Sequence, residues 1–180
     1  MPMKKISKKF ICLVCYTHKQ MTKQALYAII EGMYSHNEEE LIALGQAIGC
    51  KLRAGDVLVL TGDLGAGKTT LTKGIAQGLE IKQMIKSPTY TIVREYEGRL
   101  PLYHLDVYRI GDDPDSIDLD DFLYGDGVTV IEWGELLDAS LLDDFLRIII
   151  EKVEDGRKLT LEPQGKRSQA LVEEIGHGAG

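Results

Sequence analysis

The spacing of hydrophobic positions changes several times along the chain, and each change marks an element. Leu41, Leu44, Ile48 and Leu52 recur every three or four residues, the stripe of an amphipathic helix. Ser35-His36-Asn37-Glu38 just before them reads as a capping box. The helical period then vanishes. Val57-Leu58-Val59-Leu60-Thr61 is continuously apolar and β-branched, the signature of a strand buried on both faces. From Lys68 to Leu79 the helical period returns, with Leu71, Ile75 and Leu79 on one face and Gly78 near the end. A strand-like run to Tyr96, a turn at Glu97-Gly98-Arg99 and a run from Leu100 to Tyr108 predict a hairpin. Val128-Thr129-Val130-Ile131-Glu132 is a compact strand ending in a carboxylate. Phe145 to Val153 and Lys158 to Glu162 flank an Asp-Gly turn and predict a second hairpin. Gln169 to Ile175 suits a short helix, and His177 to Gly180 a frayed tail.

Residues 1–34 differ from the rest. Lys4, Lys5, Lys8 and Lys9 precede a short apolar run, Phe10 to Tyr16, with no small-residue cleavage site after it. That run is too short to span a membrane. Cys12-Leu13-Val14-Cys15 has no second pair, so it lacks the four ligands of a structural zinc site. Gln24 to Met33 has helical spacing. The expected organisation is an N-terminal extension over 1–34, one domain over 35–163 and a tail over 164–180.

One stretch carries the chemistry. Gly62-Asp63-Leu64-Gly65-Ala66-Gly67-Lys68-Thr69 fits G-x-x-x-x-G-K-[ST], the P-loop, and it lies between a predicted strand and a predicted helix as that motif requires. Glycines let the backbone wrap closely, so that successive N–H groups face phosphate oxygens. The helix N-terminus adds about half a positive charge. Lys68 is placed to reach the β- and γ-phosphates and Thr69 to hold Mg²⁺. The fold class expected is therefore α/β: a P-loop NTPase-like three-layer α/β/α domain with a mixed central sheet that includes β-hairpins.

Ligands of open α/β sheets sit beyond the carboxyl ends of strands, which points Glu132 at the nucleotide. It suits the acidic second motif, holding Mg²⁺ or orienting water. Asp106 offers a second carboxylate on a less continuously apolar strand. Ser87-Pro88-Thr89-Tyr90-Thr91 lies where P-loop enzymes carry a switch segment, although a Ser-Pro pair is also ordinary turn chemistry. Trp133, the one tryptophan, has the residue type of a core or rim anchor. Arg157, at a turn, reads as solvated.

Composition narrows the picture. With 21 Lys and Arg against 28 Asp and Glu, the chain is acidic, which argues against direct phosphate-driven binding of nucleic acid. Three cysteines make no disulfide framework, and a reducing cytoplasmic setting is expected. Six aspartates between 112 and 121 do not fit a calcium loop, because no glycine falls at the required place. The single asparagine, Asn37, rules out the Asn-Lys-x-Asp guanine motif and favours adenine. Seven arginines do not cluster as in a kinase lid, which weighs against the alternative of a small-molecule P-loop kinase. Arg109 is the candidate for an arginine finger in cis; without one, slow intrinsic hydrolysis is expected.

Four motifs together resemble one family. Gly62 to Thr70, Lys86-Ser87-Pro88-Thr89-Tyr90, His104-Leu105-Asp106-Val107-Tyr108-Arg109 and Ile131-Glu132-Trp133, in this order, are similar to the TsaE (YjeE) family over about Ser35 to Pro163. The resemblance implies a cytoplasmic ATPase of low intrinsic activity. Its expected task is accessory to forming N6-threonylcarbamoyladenosine in tRNA, with the TsaD–TsaB complex as partner, tRNA held by that partner, and no membrane involved. It implies ATP/ADP and Mg²⁺ as ligands. By motif, Gly62 to Thr70, Thr89 and Trp133 would line the nucleotide site, Thr69 and Glu132 would hold the metal, and Asp106 and Glu132 would serve hydrolysis. The extension over 1–34 falls outside the family pattern.

Overall fold

The computed structural model describes residues 32–109 and 118–176. The Cys12–Cys15 pair, the helix expected from Gln24 as far as residue 31, Asp112, Asp113, Asp115 and the tail 177–180 lie outside the described residues. Seven strands form one sheet: β1 (Met33–Ser35), β2 (Val57–Thr61), β3 (Val93–Tyr96), β4 (Leu102–Asp106), β5 (Val128–Glu132), β6 (Phe145–Val153) and β7 (Gly156–Gln164). Their spatial order is β1-β7-β6-β2-β5-β4-β3. The apolar run of β2 is central, parallel to β5 on one side and to β6 on the other. Strand β4 continues the parallel set beyond β5. The antiparallel members come from the two hairpins, β3–β4 and β6–β7, and from the short edge strand β1. The sheet is mixed and contains hairpins, as the hydrophobic pattern predicts. The β6–β7 turn is Glu154-Asp155, with Gly156 (φ 143°) already paired to Val153, so the glycine opens the returning strand.

Alternation along the strands builds the two faces. Leu58, Leu60, Val128, Val130, Leu146 and Ile148 point to the face covered by α1 (Glu38–Gly49), α2 (Lys68–Gly78) and α3 (Lys166–Gly176). Val57, Val59, Leu105, Ile131 and Phe145 point to the other face, under a thinner layer that includes Leu119, Leu137 and Leu142 from segments with 3₁₀ turns. The residues that carry the carboxylates follow the same rule. Leu102, His104 and Asp106 share the helix-side face of β4, and Val128, Val130 and Glu132 share that of β5.

Helix α1 starts two residues later than the capping box predicts. Ser35 ends β1, and Asn37 is the N-cap, its side chain accepting from Glu40 N–H at 2.8 Å. Glu40 reaches back one residue past the N-cap to accept from His36 N–H at 2.8 Å, so this end resembles a capping box with its return bond shifted by one residue. Helices α1 and α2 meet through glycines. A Cβ on Gly45 would overlap Leu71 O, and one on Gly74 would overlap Ile42 O. Gly49 and Gly78 repeat the arrangement one turn on, against Ile75 O and Gln46 O. Bare backbones let the two helices touch along their length.

Helix α3 begins at Lys166, three residues ahead of the expected Gln169. Its first amides are capped from outside the helix: Asp144 accepts from Arg167 N–H at 2.7 Å and Ser168 N–H at 2.8 Å. Burial disfavours the Asp144 carboxylate, but these donors and the Arg167 charge outweigh it and hold the group below the usual aspartate range. A depressed carboxylate stabilises the fold above its unfolded pKa and loses that stabilisation as pH falls through the folded value. Asp144→Ala is therefore expected to cost about 1 kcal/mol near neutral pH. Urea midpoints of the variant and the parent should converge in acid, below pH 3.8; a gap that persists there would remove the cap from the account.

Candidate functional site

The site lies at the carboxyl ends of β2, β5 and β4, where the glycine loop leaves the sheet. Three loop glycines have positive φ: Gly62 (144°), Gly65 (71°) and Gly67 (117°). Gly62 is also required by a close backbone approach, and Gly67 sits against a side-chain methyl. A Cβ on Gly62 would overlap Ile150 O, and one on Gly67, the N-cap of α2, would lie 2.6 Å from Leu41 Cδ2. Ala66 is fully buried, while the side chains of Asp63 and Leu64 are exposed on the outside of the loop.

Lys68 opens α2 and folds back beneath the loop. Its Nζ donates to Gly62 O at 2.6 Å and Asp63 O at 3.1 Å, and stands 3.7 Å from the Trp133 ring centroid. Burial lowers the ammonium below the usual lysine range, and Glu132, Glu135, Asp106 and Asp63 act to raise it again. Of these four carboxylates, Glu132 and Asp106 are buried at the site, while Glu135 and Asp63 are exposed.

One residue along, Thr69 Oγ1 donates to Glu132 Oε1 at 2.9 Å. The same carboxylate oxygen is 2.8 Å from Nε2 of His104, which is fully buried. A carboxylate only accepts, so Nε2 is the protonated nitrogen in this contact. The other ring nitrogen, Nδ1, has no partner among the described residues. Thr70 follows in the first turn of α2, half-buried.

Asp106 pairs with Glu132 in register across β4 and β5. Both its oxygens are occupied: Thr89 Oγ1 donates at 2.7 Å and Tyr108 N–H at 2.9 Å. Ser87 Oγ lies 2.7 Å from Thr89 Oγ1. The Ser87–Thr91 loop is thus tied by its threonine to the carboxylate beside the glycine loop. Arg109 stacks over Tyr90, 4.8 Å from its centroid, on the same loop.

Two side chains beside these groups sit on left-handed backbone. Ile92, at φ 65°, is β-branched, and its carbonyl accepts from Asp106 N–H. Trp133, at φ 62°, leaves β5 through a bond from its N–H to Leu60 O and packs its ring on Tyr108 at 4.9 Å. Such conformations cost about 1–3 kcal/mol each and gather at functional sites. Trp133 is partly buried and does two things at once: it packs against the core cluster that includes Val59 and Ile131, and its ring faces Lys68.

The structure therefore brings together Gly62, Gly65, Gly67, Lys68, Thr69, Asp106, Thr89, Glu132 and Trp133. Three further participants come into view. His104 shares the face of Asp106, and strand alternation alone could have flagged it. Lys152 and Arg157, on the β6–β7 hairpin, donate to loop carbonyls: Lys152 to Leu64 O at 2.9 Å, Arg157 to Ala66 O at 2.7 Å. No local pattern marks them, since sheet topology alone carries that hairpin to the loop. Arg157 is not merely solvated.

Thr69 and Glu132 present hard oxygen donors at one point, with the Asp106 carboxylate on the neighbouring strand. That donor set fits Mg²⁺, which takes one or two protein oxygens and completes its shell with water and phosphate. Among the described residues there is no group of three or more His, Cys, Asp or Glu side chains that could hold a metal ion.

Fold and site together define an α/β protein whose glycine loop and carboxylates meet at the ends of parallel strands. The family model for "Threonylcarbamoyl adenosine biosynthesis protein TsaE" matches residues 35–159. The chain is 45% identical over 141 residues to the tRNA threonylcarbamoyladenosine biosynthesis protein TsaE of Bacillus subtilis, covering 77% of this chain and 89% of that protein. It is 41% identical over 126 residues to the protein of that name from Treponema pallidum, covering 69% and 93%. It also superposes on the crystal structure of Bacillus subtilis YdiB with a TM-score of 0.71 at 40% identity, covering 80% of this chain and 92% of that one. The chain belongs to the TsaE family.

Proposed function

We propose that this protein binds ATP with Mg²⁺ and hydrolyses it slowly, in the service of threonylcarbamoyl modification of adenosine in tRNA. The observation that carries the reading is the convergence of Lys68, Thr69, Glu132 and Asp106 beside a glycine loop at a helix N-terminus, in a member of the TsaE family. In this reading the loop amides and Lys68 take the β- and γ-phosphates. Lys68 gives up Gly62 O and Asp63 O to do so. Thr69 and Glu132 hold Mg²⁺, which would neutralise charge on the phosphates. Asp106 orients the attacking water, and Thr89 couples that carboxylate to the Ser87–Thr91 loop. His104 holds Glu132 in place from below.

The partner in this proposal is the TsaD–TsaB complex, which holds the tRNA. A net charge of −7 suits a subunit that does not grip nucleic acid itself. Among the described residues, no helix is long and apolar enough to cross a membrane.

The test is Mg²⁺-ATP turnover by the purified protein, alone and with purified TsaD–TsaB, read beside tRNA modification in the same tubes. A slow rate that rises with the partners is expected, together with modification that requires this protein. A rate indifferent to them, with modification unchanged by its omission, would refute the assignment.

A further inference from the structure

The glycine loop has an unusual surround. Every backbone carbonyl from residue 62 to residue 66 accepts from a cationic side chain. Lys68 takes Gly62 O and Asp63 O. Lys152 takes Leu64 O at 2.9 Å. Arg157 takes Gly65 O at 3.4 Å and Ala66 O at 2.7 Å through different nitrogens, and a third nitrogen is fixed on Gly156 O at 2.9 Å. The first of these cations belongs to the motif. The other two come from the β6–β7 hairpin, whose Ile150 carbonyl also lies against Gly62.

Peptide geometry turns this surround into a statement about the loop's inner side. In a trans peptide the C=O of one residue and the N–H of the next point in opposite directions. Carbonyls of Leu64, Gly65 and Ala66 drawn towards the hairpin direct the amides of Gly65, Ala66 and Gly67 away from it. The Ala66 amide closes the turn on Asp63 O at 3.0 Å. Those of Gly65 and Gly67 are left to face a ligand. Two of the three loop glycines with positive φ are these same residues, so this segment of the loop has little intrinsic preference for one conformation. Something outside it must select the conformation, and the hairpin cations are in contact to do so.

We propose that Arg157, assisted by Lys152, is a positioning residue for phosphate binding: it fixes the peptide planes of the glycine loop from behind and does not itself touch the nucleotide. The inference rests on the nucleotide-binding reading above. A guanidinium suits the role, because its planar fork serves two neighbouring carbonyls at once and stays charged. An ammonium serves one direction at a time.

Calorimetric titration of the full chain with MgADP and MgATP tests this, using Arg157→Ala, Arg157→Lys and Lys152→Ala. Thermal melting without nucleotide gives the stability readout. Arg157→Ala is expected to weaken MgADP and MgATP alike, by about tenfold. Its melting temperature without nucleotide should stay near that of the parent, while the rise produced by nucleotide shrinks. Arg157→Lys should recover part of the loss. Lys152, exposed and with one contact, should show a smaller loss of the same kind, and that variant keeps the test alive if Arg157→Ala folds poorly. Parental affinity in both alanine variants would overturn the proposal. A loss confined to MgATP would also overturn it, by placing Arg157 directly on the γ-phosphate. Failure of the parent chain to bind either nucleotide would refute the underlying reading and this inference with it.

Discussion

If the proposed nucleotide site is right, Lys68→Ala is expected to lower the affinity for MgADP about 10- to 100-fold. A hydrogen bond to a charged group contributes about 1.5–3 kcal/mol, and in the proposed reading Lys68 is the one motif side chain that would bring positive charge to the phosphates. Without nucleotide the lysine is not idle. It bridges Gly62 O and Asp63 O and lies over Trp133. Alanine therefore also removes the group that orders the first half of the loop. Lys68→Met keeps the stem against the indole and loses the charge, so it separates the two roles. Equilibrium titration should give both variants the same deficit, with a smaller thermal penalty for methionine. Unchanged affinity in either variant would contradict the phosphate-binding assignment.

Gly74→Ala is expected to be the most damaging single methyl in the helix layer. Its Cβ would overlap Ile42 O, with Gly45 Cα 2.9 Å away, and both are backbone atoms that no rotamer change can move. Overpacking costs about 1–3 kcal/mol, and the gain in helix propensity returns at most about 1 kcal/mol. A net loss of about 2 kcal/mol follows, or about 6 °C in melting temperature for a chain of this size. Gly125→Ala is the control, since nothing lies within 4 Å of a Cβ there. Equal melting temperatures for the two variants would show that α1 and α2 separate at little cost.

Much of this was legible in the sequence, for identifiable reasons. The strand β2, the glycine loop and α2 are adjacent in the chain, and each follows from local pattern. Glu132 was legible because its strand is short, apolar and ends where ligands collect. The Asn37 cap was misplaced by two residues, since Ser35-x-x-Glu38 and Asn37-x-x-Glu40 both satisfy the box and only pairing of Ser35 with Arg157 in the sheet decides between them. The contact of Lys68 with Trp133 depends on a left-handed residue that no propensity favours. The role of the glycines joining α1 to α2 was not legible, because it depends on the approach of one helix backbone to the other. His104 stood in a quoted motif but was given no role, because its contact with Glu132 crosses from β4 to β5, and Arg157 was read as a solvated turn residue.

The position of β2 has a consequence for how the chain acquires its form. The strand that launches the glycine loop has no sequence neighbour beside it: Leu58 lies between Val130 and Leu146. Both pairings close long loops, and such closures are slow. The two hairpins are local by comparison and are free to form earlier. During synthesis, β2 and α2 emerge well before either neighbour of β2 exists. Until Phe145–Val153 docks, β2 presents an apolar edge with unpaired backbone, a surface prone to aggregation. The same docking delivers Lys152 and Arg157 to the loop. Completion of the sheet and completion of the contacts around the glycine loop are thus a single late event, and a chain cut short before residue 157 can have neither the finished hairpin nor the finished loop surround.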